Sequence, residues 1–245
     1  MNHFIRTACA AALLAAGLSA QAGTVNFVGW AHGGGNTVNV STPNFNGQGG
    51  AFSLTLSGFA AGFNGAFEAY CVELTENIGL GLSYTSYSIV TADSYFLAKG
   101  KPGVAASLTS LISYVNNSNM LANAAAGFKD DQSTALQLAI WNTVYDTDST
   151  LNSGNFSEAS ATAYRNNSTT TVGSNTTTNF WGANSLLSSA GAASGYSLYV
   201  LQSTGTPGQQ DQLIWMRNTV PEPTSLALVA LALGGVGFVS RRRKA

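Results

Sequence analysis

The chain has 245 residues, of which 45% are hydrophobic and only 9% are charged, and its formal net charge is −1. The length suggests one large or two small domains, and the apolar content argues against global disorder. Basic residues are scarce before the last few positions, so the chain cannot neutralise many phosphates. We therefore expect no nucleic-acid binding.

The N-terminus has the pattern of a secretory signal peptide over residues 1–22. Arg6 precedes an apolar run over residues 8–18, and Ala20 and Ala22 supply the small side chains that signal peptidase prefers. A transmembrane helix needs about 20 apolar residues, and this run is too short. We predict that the chain is exported and that Cys9 is removed with the peptide.

The C-terminus, residues 220–245, combines a proline motif, an apolar segment and a basic cluster. The apolar segment, residues 224–240, has the minimum length for a helix that spans a bilayer. Prolines prevent the helix from starting earlier, and cations at its far end are costly to translocate. We therefore predict one transmembrane helix over 224–240, with residues 23–219 outside the cytoplasm. The proline motif is Val220, Pro221, Glu222 and Pro223, and the basic cluster is Arg241, Arg242, Arg243 and Lys244.

These three ordered elements resemble the PEP-CTERM sorting signal of Gram-negative bacteria. The resemblance implies cleavage near the proline motif by an exosortase, a membrane-embedded cysteine protease. It also implies a cell that produces extracellular polysaccharide, and a mature protein at the cell surface or in the matrix. A plain C-terminal anchor is the alternative, although such an anchor has no need of Pro-Glu-Pro.

Strand patterns occur at both ends of residues 23–219, a segment with ten acidic and five basic side chains. Phe52, Leu54 and Leu56 alternate with polar residues, which predicts a half-buried strand. A hairpin is predicted around the turn at residues 205–208. The other predicted strands cover residues 24–30, 67–74 and 84–90, and the two hairpin strands cover 196–202 and 210–216.

Helical spacing appears in the middle of the chain. One stripe is Leu108, Leu111, Ile112 and Val115, and a second is Leu136, Ile140 and Val144. Weaker helices are predicted over 157–165 and 183–190, separated by a Thr/Asn-rich loop over 168–179. The predicted fold class is α+β: a β-sandwich or barrel-like β scaffold (β over 24–90 and a hairpin over 196–217) with a helical insertion over 91–190.

The residue inventory argues against most catalytic chemistry. His32 is the only histidine after residue 22, so neither a Ser-His-Asp hydrolase nor a common zinc site is expected. His32 begins a His-Gly-Gly-Gly run that we interpret as a flexible turn. Asp146 and Asp148 lie in a segment that departs from the calcium-binding EF-hand, because Leu151 occupies the glycine position. We predict no enzyme activity, no metal and no cofactor. One alternative is a sugar hydrolase that uses carboxylates from Glu68, Glu73 and Glu76.

Cys71 is the single thiol of the predicted mature domain, so it cannot form an internal disulfide. Three interpretations are open: a small buried apolar side chain, an intermolecular disulfide, or a specific covalent chemistry.

The segments 70–73 (Tyr-Cys-Val-Glu) and 136–141 (Leu-Gln-Leu-Ala-Ile-Trp) resemble two motifs of the thioester domains of bacterial surface adhesins. The resemblance would cover residues 51–216 and implies a bond between a cysteine and a glutamine on a late strand. Two residues depart from the family pattern: Leu136 stands where the family has Thr, and Asp211 where it prefers an apolar residue. The implied thioester cysteine is Cys71, its partner is Gln212 first, with Gln210 and Gln202 open, and the supporting residues are Tyr70, Gln137 and Trp141.

Three functions follow from these patterns. The first is a structural or adhesive matrix protein that binds polysaccharide noncovalently. The second is a covalent adhesin that reacts with surface amines through the thioester, and the third is the matrix-sugar hydrolase.

Overall fold

The computed structural model describes residues 22–146, 148–158, 162–192, 194–205 and 208–218. The predicted signal peptide, apart from Ala22, and the predicted sorting tail with its helix over 224–240 lie outside these residues. Across the described ranges, each helix is too short or too polar to cross a lipid bilayer.

The described chain forms eleven strands and six helices. The strands are β1 (Gly23–Trp30), β2 (Asn36–Thr42), β3 (Phe45–Gly49), β4 (Phe52–Ser57), β5 (Gly65–Cys71), β6 (Ser83–Thr91), β7 (Ser157–Glu158), β8 (Ser168–Val172), β9 (Asn175–Phe180), β10 (Tyr196–Ser203) and β11 (Gln212–Arg217). The helices are α1 (Ala92–Ala98), α2 (Val104–Asn117), α3 (Met120–Asn123), α4 (Lys129–Tyr145), α5 (Thr162–Arg165) and α6 (Ala183–Ser189).

Six strands close into a barrel in the order β1-β4-β5-β11-β10-β6. Every neighbouring pair is antiparallel, and β10 and β11 form the predicted hairpin. In β4, Phe52, Leu54 and Leu56 are buried while the residues between them are more exposed, as their alternation predicts. The α+β class with a barrel-like scaffold is therefore confirmed.

The segment between β6 and β10 contains all of the described helices. Its longest helix, α4, packs against the barrel strand β5, the outer strands β2 and β3, and helices α2 and α6. Because α4 is covered on nearly all sides, its buried residues include Gln132, Ser133, Thr134 and Gln137 as well as the predicted apolar stripe. The sequence analysis predicted one buried apolar stripe on this helix and therefore missed its buried polar residues.

Two other sequence predictions need correction, and two strands were not predicted. The Thr/Asn-rich segment over 168–179 is a hairpin, β8–β9, and not a loop. β-Branched threonines favour strands, and Gly173, with φ of 64°, provides the left-handed conformation at its turn. The segment over 157–165 holds the short strand β7 and the single-turn helix α5. Strands β2 and β3, which the sequence did not predict, form a second sheet with β7.

Candidate functional site

Cys71 and Gln212 lie opposite each other on neighbouring barrel strands. Cys71 ends β5, Gln212 begins β11, and the antiparallel register pairs the two residues directly. Opposed residues of an antiparallel pair project from the same face of the sheet. The Gln212 Nε2 atom is 3.6 Å from the Cys71 Sγ atom, and both side chains are buried. The fold therefore brings together two residues that are 141 positions apart in the chain.

Gln137 on α4 holds the backbone of Cys71 from the other side. Its Oε1 atom accepts a hydrogen bond of 2.9 Å from the Cys71 N–H, and its Nε2 atom donates one of 2.8 Å to the Cys71 carbonyl. The register of β4 with β5 ends at Ala69, so the amide of Gln137 replaces a strand at this point. Cys71 is consequently fixed at both its backbone and its side chain.

The carboxamide of Gln212 is only half satisfied. Its Nε2 atom donates to the Gln210 carbonyl at 3.1 Å, whereas its Oε1 atom is buried and has no hydrogen-bond partner among the described residues. An unpaired buried acceptor costs about 1–3 kcal/mol. The amide whose carbon a thiol would attack therefore has a carbonyl oxygen that no hydrogen bond from the described residues stabilises.

The other two candidate glutamines do not contact the thiol. The Gln210 side chain donates to the Glu73 carbonyl at 2.7 Å. Gln202 lies on β10 opposite Ser88, and β11 separates its strand from β5. Of the three candidates, the structure places Gln212 beside Cys71.

Two aromatic residues lie next to the site residues along the chain and pack into the core around them. Tyr70 is fully buried, stacks on Trp215 at 5.9 Å between ring centroids, and shares a hydrogen bond of 3.2 Å with the Ser133 hydroxyl. Trp141 lies one turn after Gln137 on α4 and packs edge-on against Phe45 at 5.3 Å. Tyr70 thus borders the cysteine on β5, and Trp141 seats α4 against β3.

Charged and phenolic side chains next to the pair form a group that the sequence analysis did not predict. We call it the Glu73–Asp211 network: Glu73, Tyr95, Lys99 and Asp211. The Glu73 carboxylate accepts from the Asp211 N–H at 2.9 Å, and Asp211 accepts from the Tyr95 hydroxyl at 2.6 Å. The Lys99 ammonium lies 3.5 Å from Glu73 and 3.6 Å from Asp211. Asp211 was the one sequence signal, because it departs from the apolar preference of the thioester domains.

Burial controls the ionisation of these groups. It raises the pKa of the Cys71 thiol to about 12, although the hydrogen bond from Gln212 opposes the shift. Burial also raises the pKa of Glu73 and that of Asp211 above their ordinary values. The thiol is therefore protonated at neutral pH, and its proton must leave as the sulfur forms a bond.

The remaining residues that the sequence singled out have local partners. His32 Nε2 lies 3.3 Å from Glu68 Oε2, so Glu68 and Glu73 engage different partners. The Asp146 carboxylate accepts from the Phe156 N–H, and the Asp148 carboxylate accepts from the Thr150 N–H. Within the ranges that the structure describes, His, Cys, Asp and Glu side chains form no group of three that could hold a metal ion.

Comparison with known proteins gives one match. The PEP-CTERM protein-sorting motif matches residues 219–244, while no curated protein and no solved structure matches the chain. The match agrees with the proline motif, apolar segment and basic cluster of the sequence. The chain therefore carries a PEP-CTERM sorting motif, which implies that it is an exported substrate of exosortase, processed at the membrane and directed to the cell surface.

Proposed function

We propose that the exported domain is a covalent adhesin in which Cys71 and Gln212 form an internal thioester. The observation that carries this proposal is the side-chain contact of Gln212 with the Cys71 sulfur, made inside the core while Gln137 holds the cysteine backbone. A buried cysteine alone would be an ordinary apolar side chain. A buried cysteine against a glutamine carboxamide is a nucleophile against an acyl group.

The bond-forming step balances without a cofactor. The Cys71 sulfur attacks the Gln212 carboxamide carbon, a sulfur–carbon bond forms and the carbon–nitrogen bond breaks. The thiol proton passes to the departing nitrogen, which leaves as ammonia. Because the pKa of the thiol is about 12, this proton transfer accompanies the attack and does not precede it.

Burial of the site favours the thioester over the unreacted Gln212 carboxamide. The unreacted carboxamide keeps a polar Oε1 atom in the core without a partner among the described residues, whereas a thioester carbonyl is a weaker acceptor and loses less on burial. Water is also kept from the acyl carbon by the surrounding core, so hydrolysis is slow. The same residues thus promote formation of the bond and protect it.

An incoming amine would open the thioester once. The amine nitrogen attacks the acyl carbon, an amide forms with the Gln212 side chain, and the Cys71 thiol is released. Each molecule therefore makes one covalent attachment and has no turnover. Export to the cell surface exposes the domain to amines on matrix polymers or neighbouring cells, the partners that this chemistry accepts.

Intact mass spectrometry of the protein purified from its native cells tests the proposal. We expect a mass lower by one ammonia than the processed sequence, and methylamine should then add its own mass. The Cys71→Ala and Gln212→Ala variants should lack the deficit, while Gln202→Ala, at a glutamine on β10 that β11 separates from the strand of Cys71, should keep it. An undiminished wild-type mass with a Cys71 that is alkylated after unfolding would exclude the thioester and leave noncovalent adhesion.

A further inference from the structure

The Glu73–Asp211 network lies at the weakest junction of the barrel. The register of β5 with β11 covers only Cys71 with Gln212 and Leu213 with Tyr70, whereas β4 pairs with β5 over residues 52–56. A ladder this short gives little backbone bonding to fix the position of Gln212. Other contacts must therefore hold the start of β11 against the end of β5.

Residues that follow Cys71 and residues that precede Gln212 supply these contacts by bonding to each other. The Glu73 carboxylate accepts from the Asp211 N–H at 2.9 Å, and the Glu73 carbonyl accepts from the Gln210 side chain at 2.7 Å. In the other direction, the Val72 N–H donates to the Asp211 carbonyl at 3.1 Å. The segment after Cys71 is thus bonded to the segment before Gln212 by three hydrogen bonds.

Asp211 also fixes the start of β11 to its other neighbouring strand, β10, and to helix α1. Its carboxylate accepts from the Ser203 N–H on β10 at 2.7 Å and from the Tyr95 hydroxyl on α1 at 2.6 Å. Lys99, which follows α1, lies between the two carboxylates and over the Tyr95 ring at 4.6 Å from its centroid. One lysine therefore lies between two carboxylates whose side chains are 13% and 7% exposed.

We infer that Glu73 and Asp211 are positioning residues for the Cys71–Gln212 reaction, which they direct by fixing the separation of β5 and β11 at the reacting atoms. This inference rests on the proposed thioester. Attack on an acyl carbon requires an approach of about 3–3.5 Å in a defined direction, and small displacements reduce the rate steeply. Neither carboxylate contacts the sulfur in the described structure, so both act through the strands that they hold.

The test follows re-formation of the thioester. Ammonia opens the bond and regenerates the Cys71 thiol and the Gln212 carboxamide, and the renewed loss of ammonia after its removal gives the rate of formation by intact mass. We expect Glu73→Ala and Asp211→Ala to slow re-formation by about tenfold or more. Glu68→Gln, on the same strand but bonded to His32, is the matched control and should keep the wild-type rate.

Rescue distinguishes positioning from general stability. Glu73→Gln retains an oxygen that accepts from the Asp211 N–H, so its rate should stay within about threefold of the wild type although its charge is gone. Folded alanine variants that re-form the bond at the wild-type rate would overturn the inference. So would equal slowing in Glu73→Gln and Glu73→Ala, because the charge and not the held strand would then matter.

Two milder variants serve if the alanine variants do not fold. Tyr95→Phe removes the hydrogen bond to Asp211, and Lys99→Met removes the two ion pairs with Glu73 and Asp211. We expect each variant to slow re-formation about two- to threefold. Unchanged rates in both would contradict the positioning role. A wild-type protein that never shows the ammonia deficit would instead refute the proposed function before any variant is compared.

Discussion

Helix α4 carries two buried glutamines that make the same kind of contact at two places. Gln132 accepts from the Trp181 N–H at 2.8 Å and donates to the Trp181 carbonyl at 3.1 Å. Gln137 does the same for Cys71 at 2.9 and 2.8 Å. Both side chains are fully buried and both replace a missing strand partner. The hydrogen bonds that α4 makes to Trp181 and to Cys71 are therefore of the same kind.

The two places differ in what lies next to the backbone that each glutamine binds. Beyond Cys71 lies Gln212, whose Oε1 atom lacks a hydrogen-bond partner within the described chain. At Trp181, both backbone groups and both amide groups of Gln132 are satisfied. A glutamine that binds a neighbouring backbone is therefore a structural feature that both places share. Only the Cys71 site also has, within the part of the chain that the structure describes, a buried polar atom without a hydrogen-bond partner beside a thiol.

The largest expected effect comes from replacing either helix glutamine. In a Cys71→Ala background, which removes the crosslink, Gln137→Met should destabilise the fold by about 2–4 kcal/mol, because it leaves a buried N–H and a buried carbonyl unpaired. Gln132→Met should cost about 1–3 kcal/mol, because the N–H and carbonyl of Trp181 that it leaves unpaired are only partly buried. Urea unfolding measures this quantity. With Cys71 present, only Gln137→Met should slow loss of ammonia. If Gln132→Met slowed it equally, the two places would not differ in chemistry.

A smaller effect is expected from pH. Burial raises the pKa values of Glu73 and Asp211 near Cys71, and it also raises that of Asp131, next to Gln132. A carboxyl whose pKa is higher in the folded state contributes stability that is fully present below its unfolded pKa and is lost as the pH rises through the folded value. The protein should therefore be more stable near pH 5 than near pH 7.5.

Charge-removing variants assign this pH dependence to one end of α4. The side chains of Asp211 and Glu73 are only 7% and 13% exposed, whereas Asp131 is partly buried and bonded to Asn36. Glu73→Gln and Asp211→Asn should flatten the dependence of the urea midpoint on pH more than Asp131→Asn does. A midpoint that rises between the two pH values in the wild type would contradict the assigned cause.

Much of the scaffold could be predicted from the sequence, because alternation in β4 and in the last hairpin reports a half-buried strand directly. The burial of α4 could not, since hydrophobic periodicity treats Gln132, Ser133 and Thr134 as exposed. These residues are buried because their polar groups bond to backbone groups at or just beyond strand ends, as the Ser133 hydroxyl accepts from the Ala51 N–H between β3 and β4. The β8–β9 hairpin was missed because its threonines were interpreted by composition and not by their β-branched shape.

The sequence analysis named Cys71 and Gln212 as the first candidate pair, but it could not predict that their side chains are in contact. Alternation places Gln210 and Gln212 on one face, so only the register of β11 with β5 separates them. That register is set by contacts between residues more than a hundred positions apart. Lys99 was missed, and the role of Asp211 was not predicted, because charged residues are normally solvated and no local pattern indicates that β5, β11 and α1 meet around them.

The smallest expected effect concerns Gln212 and tests the contrast between the two places most sharply. In the Cys71→Ala background, Gln212→Met should change the free energy of unfolding by less than about 1 kcal/mol, since it removes an acceptor that was already unpaired. The Gln210 carbonyl, which loses its bond from Gln212, keeps one of 2.9 Å from the Tyr87 hydroxyl. Urea unfolding beside Gln132→Met and Gln137→Met checks the series. A loss as large as theirs would mean that Gln212 is a structural residue like the other two, and the unmet oxygen would no longer mark a reactive group.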